Sequence, residues 1–311
     1  MSCKKRHLLF ILIILTTLSL AAFGQQDPQF SHTMYSHMAI NPGFAGSSNM
    51  INITAINRQQ WVGFADDAFN TTSVSVDAAI KPFGFSSGVG LSILSDNIGF
   101  DKNLGLNLTY AARFNVGKGK LGVGISGGFI NNSLDPVWIP PISGDNSIPT
   151  KKESSINLDL GFGLFYNTES MFFGVSATHL NETQRTKAID PAHYSRNYYV
   201  SGGYRLELNP SWEFAPSVHI ATDLVVSQFS FSAALHYNKK FWGGVSYRVG
   251  EAVVGMVGVE LFNGLRVGYA YDYALSKIGS YNDGSHEFLL GYSFSLRKER
   301  PPQQYKSIRF L

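Results

Sequence analysis

Between Phe241 and Leu296 the chain alternates apolar and polar positions with a period of two, the signature of strands with one greasy and one wet face. In its last piece Phe288, Leu290, Tyr292, Phe294 and Leu296 share a face, and Glu287, Leu289, Gly291, Ser293 and Ser295 take the other. In the piece before it Leu265, Val267, Tyr269, Tyr271, Tyr273 and Leu275 oppose Arg266, Gly268, Ala270, Asp272, Ala274 and Ser276. Strands of soluble sandwiches run to about five or six residues, whereas a tilted strand crossing a bilayer needs about 9 to 11. The runs here reach that length. The pattern predicts an all-β protein, a transmembrane antiparallel β-barrel.

The same alternation, followed from residue 50 to residue 296, predicts about fourteen strands, and an even number returns both ends of the barrel to one side of the membrane. Alternate connections are tight, at Pro82 to Ser86, Gly117 to Lys120, Thr168 to Ser170, Asn209 to Ser211, Lys239 to Lys240 and Phe262 to Asn263. Asn263-Gly264 is itself a two-residue hairpin signal. The intervening connections, at Val62 to Asn70, Asp96 to Lys102, Leu134 to Glu153, Asn181 to Ser195 and Ser276 to Gly284, read as external loops, with short ones near Leu224 and Gly250. The longest carries Pro136, Pro140, Pro141 and Pro149 and is a candidate partner surface.

Before the strands lie two other kinds of segment. Lys4, Lys5 and Arg6, an apolar run from Leu8 to Leu20, and Ala22-Phe23-Gly24 form an export signal, so residues 1–24 are expected to be removed. Residues 25–48 lack periodicity and hold Pro28, Phe30, Met34, Tyr35, Met38, Ile40 and Phe44. These are too many apolar groups for a solvated linker. The stretch is expected to be a lead-in or plug, closing the lumen from the periplasmic side or docking a periplasmic component. Residues 49–296 form the barrel and 297–311 a basic periplasmic tail.

Composition narrows the class further. Charged residues are 15% of the chain, against about 25% in soluble proteins, and no apolar run after the leader is long enough for a spanning helix. Loss of the three basic leader residues takes the formal charge from +3 to zero, which gives no electrostatic case for nucleic acid. The 31 glycines suit curved strands, and 15 tyrosines and 23 phenylalanines suit interfacial girdles. The sole cysteine, Cys3, lies in the leader, so the mature barrel has no thiol chemistry.

With Ile51, Val74, Leu106, Val123, Leu158, Phe173, Val200, Phe214, Phe231, Val245, Val257, Tyr269 and Leu290 facing lipid, no Asp, Glu, Lys or Arg falls at an outward mid-strand position. The inward face carries Arg58, Asp77, Lys81, Arg113, Asp159, Arg205, Glu207, Glu213, Arg248, Glu260, Arg266, Asp272 and Glu287. Near-balanced signs predict cross-strand ion pairs filling the lumen more than a charge-selective pore. No catalytic, cofactor or metal constellation emerges. His32 and His37 stand in the lead-in without a carboxylate at ligand spacing, and Asp190 with His193 is the sole weak hydrolase candidate, interrupted by Pro191.

Several strings then occur in order: Gln26-Asp27-Pro28-Gln29-Phe30-Ser31, Ile40-Asn41-Pro42-Gly43-Phe44-Ala45-Gly46, Arg58-Gln59-Gln60-Trp61-Val62-Gly63-Phe64, Asp96-Asn97-Ile98-Gly99 and His179-Leu180. His193-Tyr194 follows, leading to Gly202-Gly203-Tyr204-Arg205, then Gly244 to Arg248, Gly268 to Tyr273, and Gly284 to Phe288. The ordered set, spanning nearly the whole mature chain, resembles the PorP/SprF family of type IX secretion system outer-membrane proteins. Gly43-Phe44 departs from the Ala-Tyr of many relatives. The resemblance implies a non-enzymatic role in secretion and gliding, with outer-membrane lipid, secretion-machinery components and a large C-terminally tagged adhesin as partners, and brings no catalytic residue. The alternative is a passive porin or hydrophobic-solute transporter of the fatty-acid-porin type.

Overall fold

The computed structural model describes residues 27–48, 50–64, 69–134, 152–182, 195–261 and 264–295. The expected leader, the C-terminal tail, Asp190, His193 and the four prolines of the longest loop lie outside these. The described strands are β1 (Ile51–Gln59), β2 (Phe69–Ile80), β3 (Ser87–Ile98), β4 (Asp101–Val116), β5 (Gly119–Leu134), β6 (Glu153–Asn167) and β7 (Met171–Thr178). After them come β8 (Asn197–Tyr204 and Leu206–Asn209, interrupted at Arg205), β9 (Trp212–Thr222), β10 (Ser227–Tyr237), β11 (Phe241–Arg248), β12 (Ala252–Leu261), β13 (Leu265–Ala274) and β14 (Ser285–Phe294).

Each strand pairs antiparallel with its neighbour in sequence, and β14 pairs back onto β1 from Ile51↔Phe294 to Gln59↔His286, closing a barrel of fourteen strands. Closure leaves every central strand with two partners, which lets backbone polar groups cross lipid without an edge. The register puts the expected lipid-facing residues outside: Leu106, Phe231, Val257 and Leu290 are all largely exposed. The expected inward charges that lie within strands share the other face, because a pleat admits no other choice once the register is fixed; Lys81 follows the end of β2 and is exposed.

The ends of the strands confirm the up-and-down arrangement with one correction. Among the described residues, the side bearing the start of β1 and the end of β14 carries tight connections, such as Asn238-Lys239, whose φ values of 50° and 54° give a left-handed two-residue turn. This is the periplasmic side by the rule of short turns. Asp96 to Lys102 is not a loop: β3 runs to Ile98 and β4 starts at Asp101, so only Gly99 and Phe100 turn. Gly99 at φ 56° permits so sharp a reversal, and polar Asp96, Asn97 and Lys102 pair within the extended ladder above the membrane.

Candidate functional site

The lead-in lies within the barrel wall and not beneath it. It runs inside the lumen through nearly its full height. Asp27 meets the external ends of β7 and β8, Ser31 and His32 meet β14 near its external end, and Gly43 to Gly46 lie against the periplasmic halves of β2, β3, β5 and β6. Between them are a 3-10 turn (Thr33–Tyr35), a helical turn α1 (His37–Ile40) and a second 3-10 turn (Pro42–Phe44). The last is set by Asn41, whose Oδ1 accepts the Gly43 N–H at 2.9 Å, and by Pro42 at its first position.

The deepest anchor joins this inner segment to the barrel's closing seam. Arg58 and Glu287 stand directly opposite on β1 and β14. Glu287 is fully buried; its Oε2 accepts the Ser31 N–H at 2.6 Å and its Oε1 accepts the His32 N–H at 2.8 Å and lies 2.7 Å from His32 Nδ1. Arg58 donates from Nη2 to Asp272 at 2.7 Å and from Nη1 to the Ser31 hydroxyl at 2.8 Å, and Arg248 reaches the same Asp272 carboxylate at 3.3 Å. Such a cluster survives burial because every charge has a partner and a hydrogen bond. Beneath it Phe30 enters an apolar group of Ile56, Trp242, Val254, Met256, Ala270 and Leu289, with Met34 and Tyr35 against it.

The periplasmic half is built by glycine. A Cβ on Gly43 would come within 2.8 Å of Gly163 O and Phe165 N and 2.9 Å of Gly122 O, so the Ala expected from relatives has no room here. Gly88, Gly122 and Gly124 present bare backbone to Ala45, Gly43 and Pro42 in the same way. The polar contacts of this half address mainly the segment's main chain. Asp77 accepts the Gly46 N–H at 3.0 Å, Arg113 donates to the carbonyls of Ala45 and Gly43, and the Ser176 hydroxyl donates to Ile40 O at 2.7 Å. His37 packs among Phe44, Phe165 and Phe172, where burial first and His219 second push its pKa down to about 3. Met38, Ala45 and Ala111 complete the packing.

At the external end Asp27 makes a third anchor. Its Oδ1 lies 2.8 Å from His179 Nε2, and its Oδ2 accepts from Tyr199 at 2.6 Å and Thr178 at 3.1 Å. His179 Nδ1 lies 2.8 Å from Asp159, which also accepts from Asn107 at 2.7 Å. Burial opposes the charge on both members, yet His179, with Tyr199 and Thr178, holds the Asp27 carboxyl below its ordinary range. Asp27 and Asp159 together raise His179 to about 10. A cavity of about 80 Å³ adjoins, lined by Asp27, Pro28, Leu94, Asp96, Ile130 and His179 among others.

The inward charges therefore do not form one network. Arg58, Arg248, Asp272 and Glu287 come together; Asp77, Arg113 and Asp159 instead serve the inner segment. Arg205 pairs with Glu213, and Arg266 bonds Ser293 and lies over the Tyr35 ring at 5.2 Å. Glu207 and Glu260 join no ion pair among the described residues. The sequence reading missed Ser31, His32, Asn41, His179 and Tyr199. His32 and His179 find their carboxylates 255 and 20 residues away, a spacing that no local motif shows. Among the described residues no cluster of three His, Cys, Asp or Glu could hold a metal ion.

A closed, fourteen-stranded barrel with an apolar outer belt and a polar interior is an outer-membrane protein. Two solved barrels share the fold: the Ralstonia pickettii toluene transporter TbuX, at TM-score 0.55 and 12% identity over 85% of this chain and 94% of that one, and the CymD monoaromatic hydrocarbon channel, at 0.51 and 12% over 85% and 93%. No curated protein matches the sequence. Residues 22–292 match the family described as Type IX secretion system membrane protein PorP/SprF, and the chain belongs to that family.

Proposed function

We propose that this protein is a non-enzymatic outer-membrane component of the type IX secretion and gliding machinery that helps a large, C-terminally tagged adhesin reach and stay on the cell surface. Family membership over residues 22–292 carries the reading. The filled lumen supports it. With the inner segment bonded to β1, β2, β4, β6, β7, β8, β13 and β14, the barrel serves as a rigid platform whose inner segment acts as a plug, its partners being other parts of the machinery and the cargo. Affinity isolation of the tagged protein from its own outer membrane tests this. Recovery of a giant surface protein together with machinery components is expected, and its absence from the isolate, with cell-surface adhesin unchanged on deletion of the gene, overturns the reading.

A second reading, a solute channel like TbuX or CymD, is supported by the shared fold alone. Planar-bilayer recording separates the two: the platform reading expects little conductance from the intact protein, and large steady currents favour a channel.

A further inference from the structure

We propose that the external end of the inner segment, Asp27 and Pro28, is a latch that closes the upper cavity and can open while the remainder of the segment stays seated. The inference concerns motion within the barrel and is independent of the cargo. Asp27 and Pro28 form part of the cavity wall, with Ser73, Leu94 and Asp159 across from them. From Asp27, at β7 and β8, the chain reaches Ser31, at β14 and β1, on the opposite side of the barrel. It is a strap across the external mouth.

The two ends of the strap are fastened differently. At Ser31 the main chain is bonded by a fully buried carboxylate and Phe30 is sunk in the apolar cluster beside it, which makes a pivot. At Asp27 the hold among the described residues is by side-chain bonds to His179, Tyr199 and Thr178. The receiving residue is set by a turn. His179 has φ 53°, in the left-handed region that histidine enters more readily than most residues with a Cβ, and it follows directly on the end of β7. That turn aims the imidazole inward between Asp159 and Asp27 while Asn181 caps the backbone of Leu158 and Leu160 where β7 would otherwise have continued. A turn at one residue thus places the imidazole that holds Asp27 together with the Tyr199 and Thr178 hydroxyls.

The test uses the absence of cysteine downstream of Cys3. A reporter Ser73→Cys lines the cavity, and a second, Ala111→Cys, lies under the periplasmic half against Met38 and Ala45. Each is placed in the full chain in intact cells and labelled from outside with a membrane-impermeant maleimide. Adding Asp27→Asn is expected to raise labelling of Ser73→Cys about tenfold, the factor that loss of roughly one charge-assisted bond gives, and to leave Ala111→Cys unlabelled. Tyr199→Phe, which removes one donor and no charge, is expected to act in the same direction and serves where Asp27→Asn fails to assemble. Unchanged labelling of Ser73→Cys in the assembled variants overturns the latch, and so does a parallel rise at both reporters, which would mean that the whole segment leaves.

Discussion

The periplasmic and external halves of the inner segment are held by opposite physics. The lower half offers the wall its main chain and a few apolar and ring side chains, and the wall answers with glycine and with Phe165 and Phe172, Asp77 and Arg113 bonding the segment only at main-chain groups; contact is so close that a single methyl group has no place at Gly43. The upper half offers Asp27, Ser31 and His32, and the wall answers with His179, Glu287, Asp272 and Arg58. A steric fit fails abruptly when volume is added and ignores charge. An ionic fit tolerates small changes of shape and fails when a proton or a partner is removed.

The largest effect is expected from volume in the lower half. Gly88→Leu would drive a side chain into the Ala45 carbonyl, where no flexible neighbour can yield. Overpacking a flexible core costs about 1 to 3 kcal/mol, and a rigid backbone contact should exceed that, so loss of the heat-modifiable barrel band is expected. Normal assembly with the same protease resistance would show the glycine track to be incidental. Next comes Glu287→Ala, which strands the Ser31 and His32 N–H groups in a buried site and removes one of the two carboxylates beside Arg58. Removing one partner of a buried ion pair costs about 3 to 5 kcal/mol. The thermal midpoint in detergent should fall steeply, whereas Glu207→Ala, on the exposed part of β8, should leave it in place.

The smallest effect, and the sharpest for the comparison, is in pH. His179 is raised from its ordinary 6.5 to about 10 by Asp27 and Asp159 acting against burial, so its contribution is complete below about pH 6.5 and is lost as pH rises through 10. Asp27, held below its ordinary 3.8, contributes above that value and loses its share in stronger acid. His37, surrounded by Phe44, Phe165, Phe172 and His219, behaves in the opposite sense. Its pKa of about 3 means that the unfolded chain takes up a proton first, so the lower half weakens as pH falls from about 6.5 towards 3. Hydrogen exchange should show residues 27–29 loosening in alkali, and 37–46 loosening as pH falls from about 6.5 to about 4, a window in which Asp27 keeps its charge. Loosening of both halves within that same window would dissolve the distinction.

The wall was legible in the sequence because a pleated strand between lipid and lumen writes its environment into every second residue. Val257 and Tyr269 could face only lipid, and Glu260 and Asp272 only the lumen. The ladder ends were less legible where polar residues extend above the membrane, as at Asp96 to Lys102, since lipid no longer imposes alternation there. The inner segment was visible as apolar residues in need of cover, but its path was not. The contacts of Asp27, Ser31 and His32 join positions far apart in the chain, and the glycines of β3, β5 and β6 read as curvature when they also make room.

The pairing of Arg58 with Glu287 also bears on how the chain is put together. Ser31, His32 and Arg58 emerge early in synthesis, and their acceptor arrives on the last strand. A chain that stopped before β14 would carry two buried amide groups prepared for an acceptor that never came, and an Arg58 left with Asp272 alone. The seam is thus completed only by a molecule possessing both its beginning and its end, and truncated products would be left open, recognisable to whatever surveys the envelope for unfinished barrels.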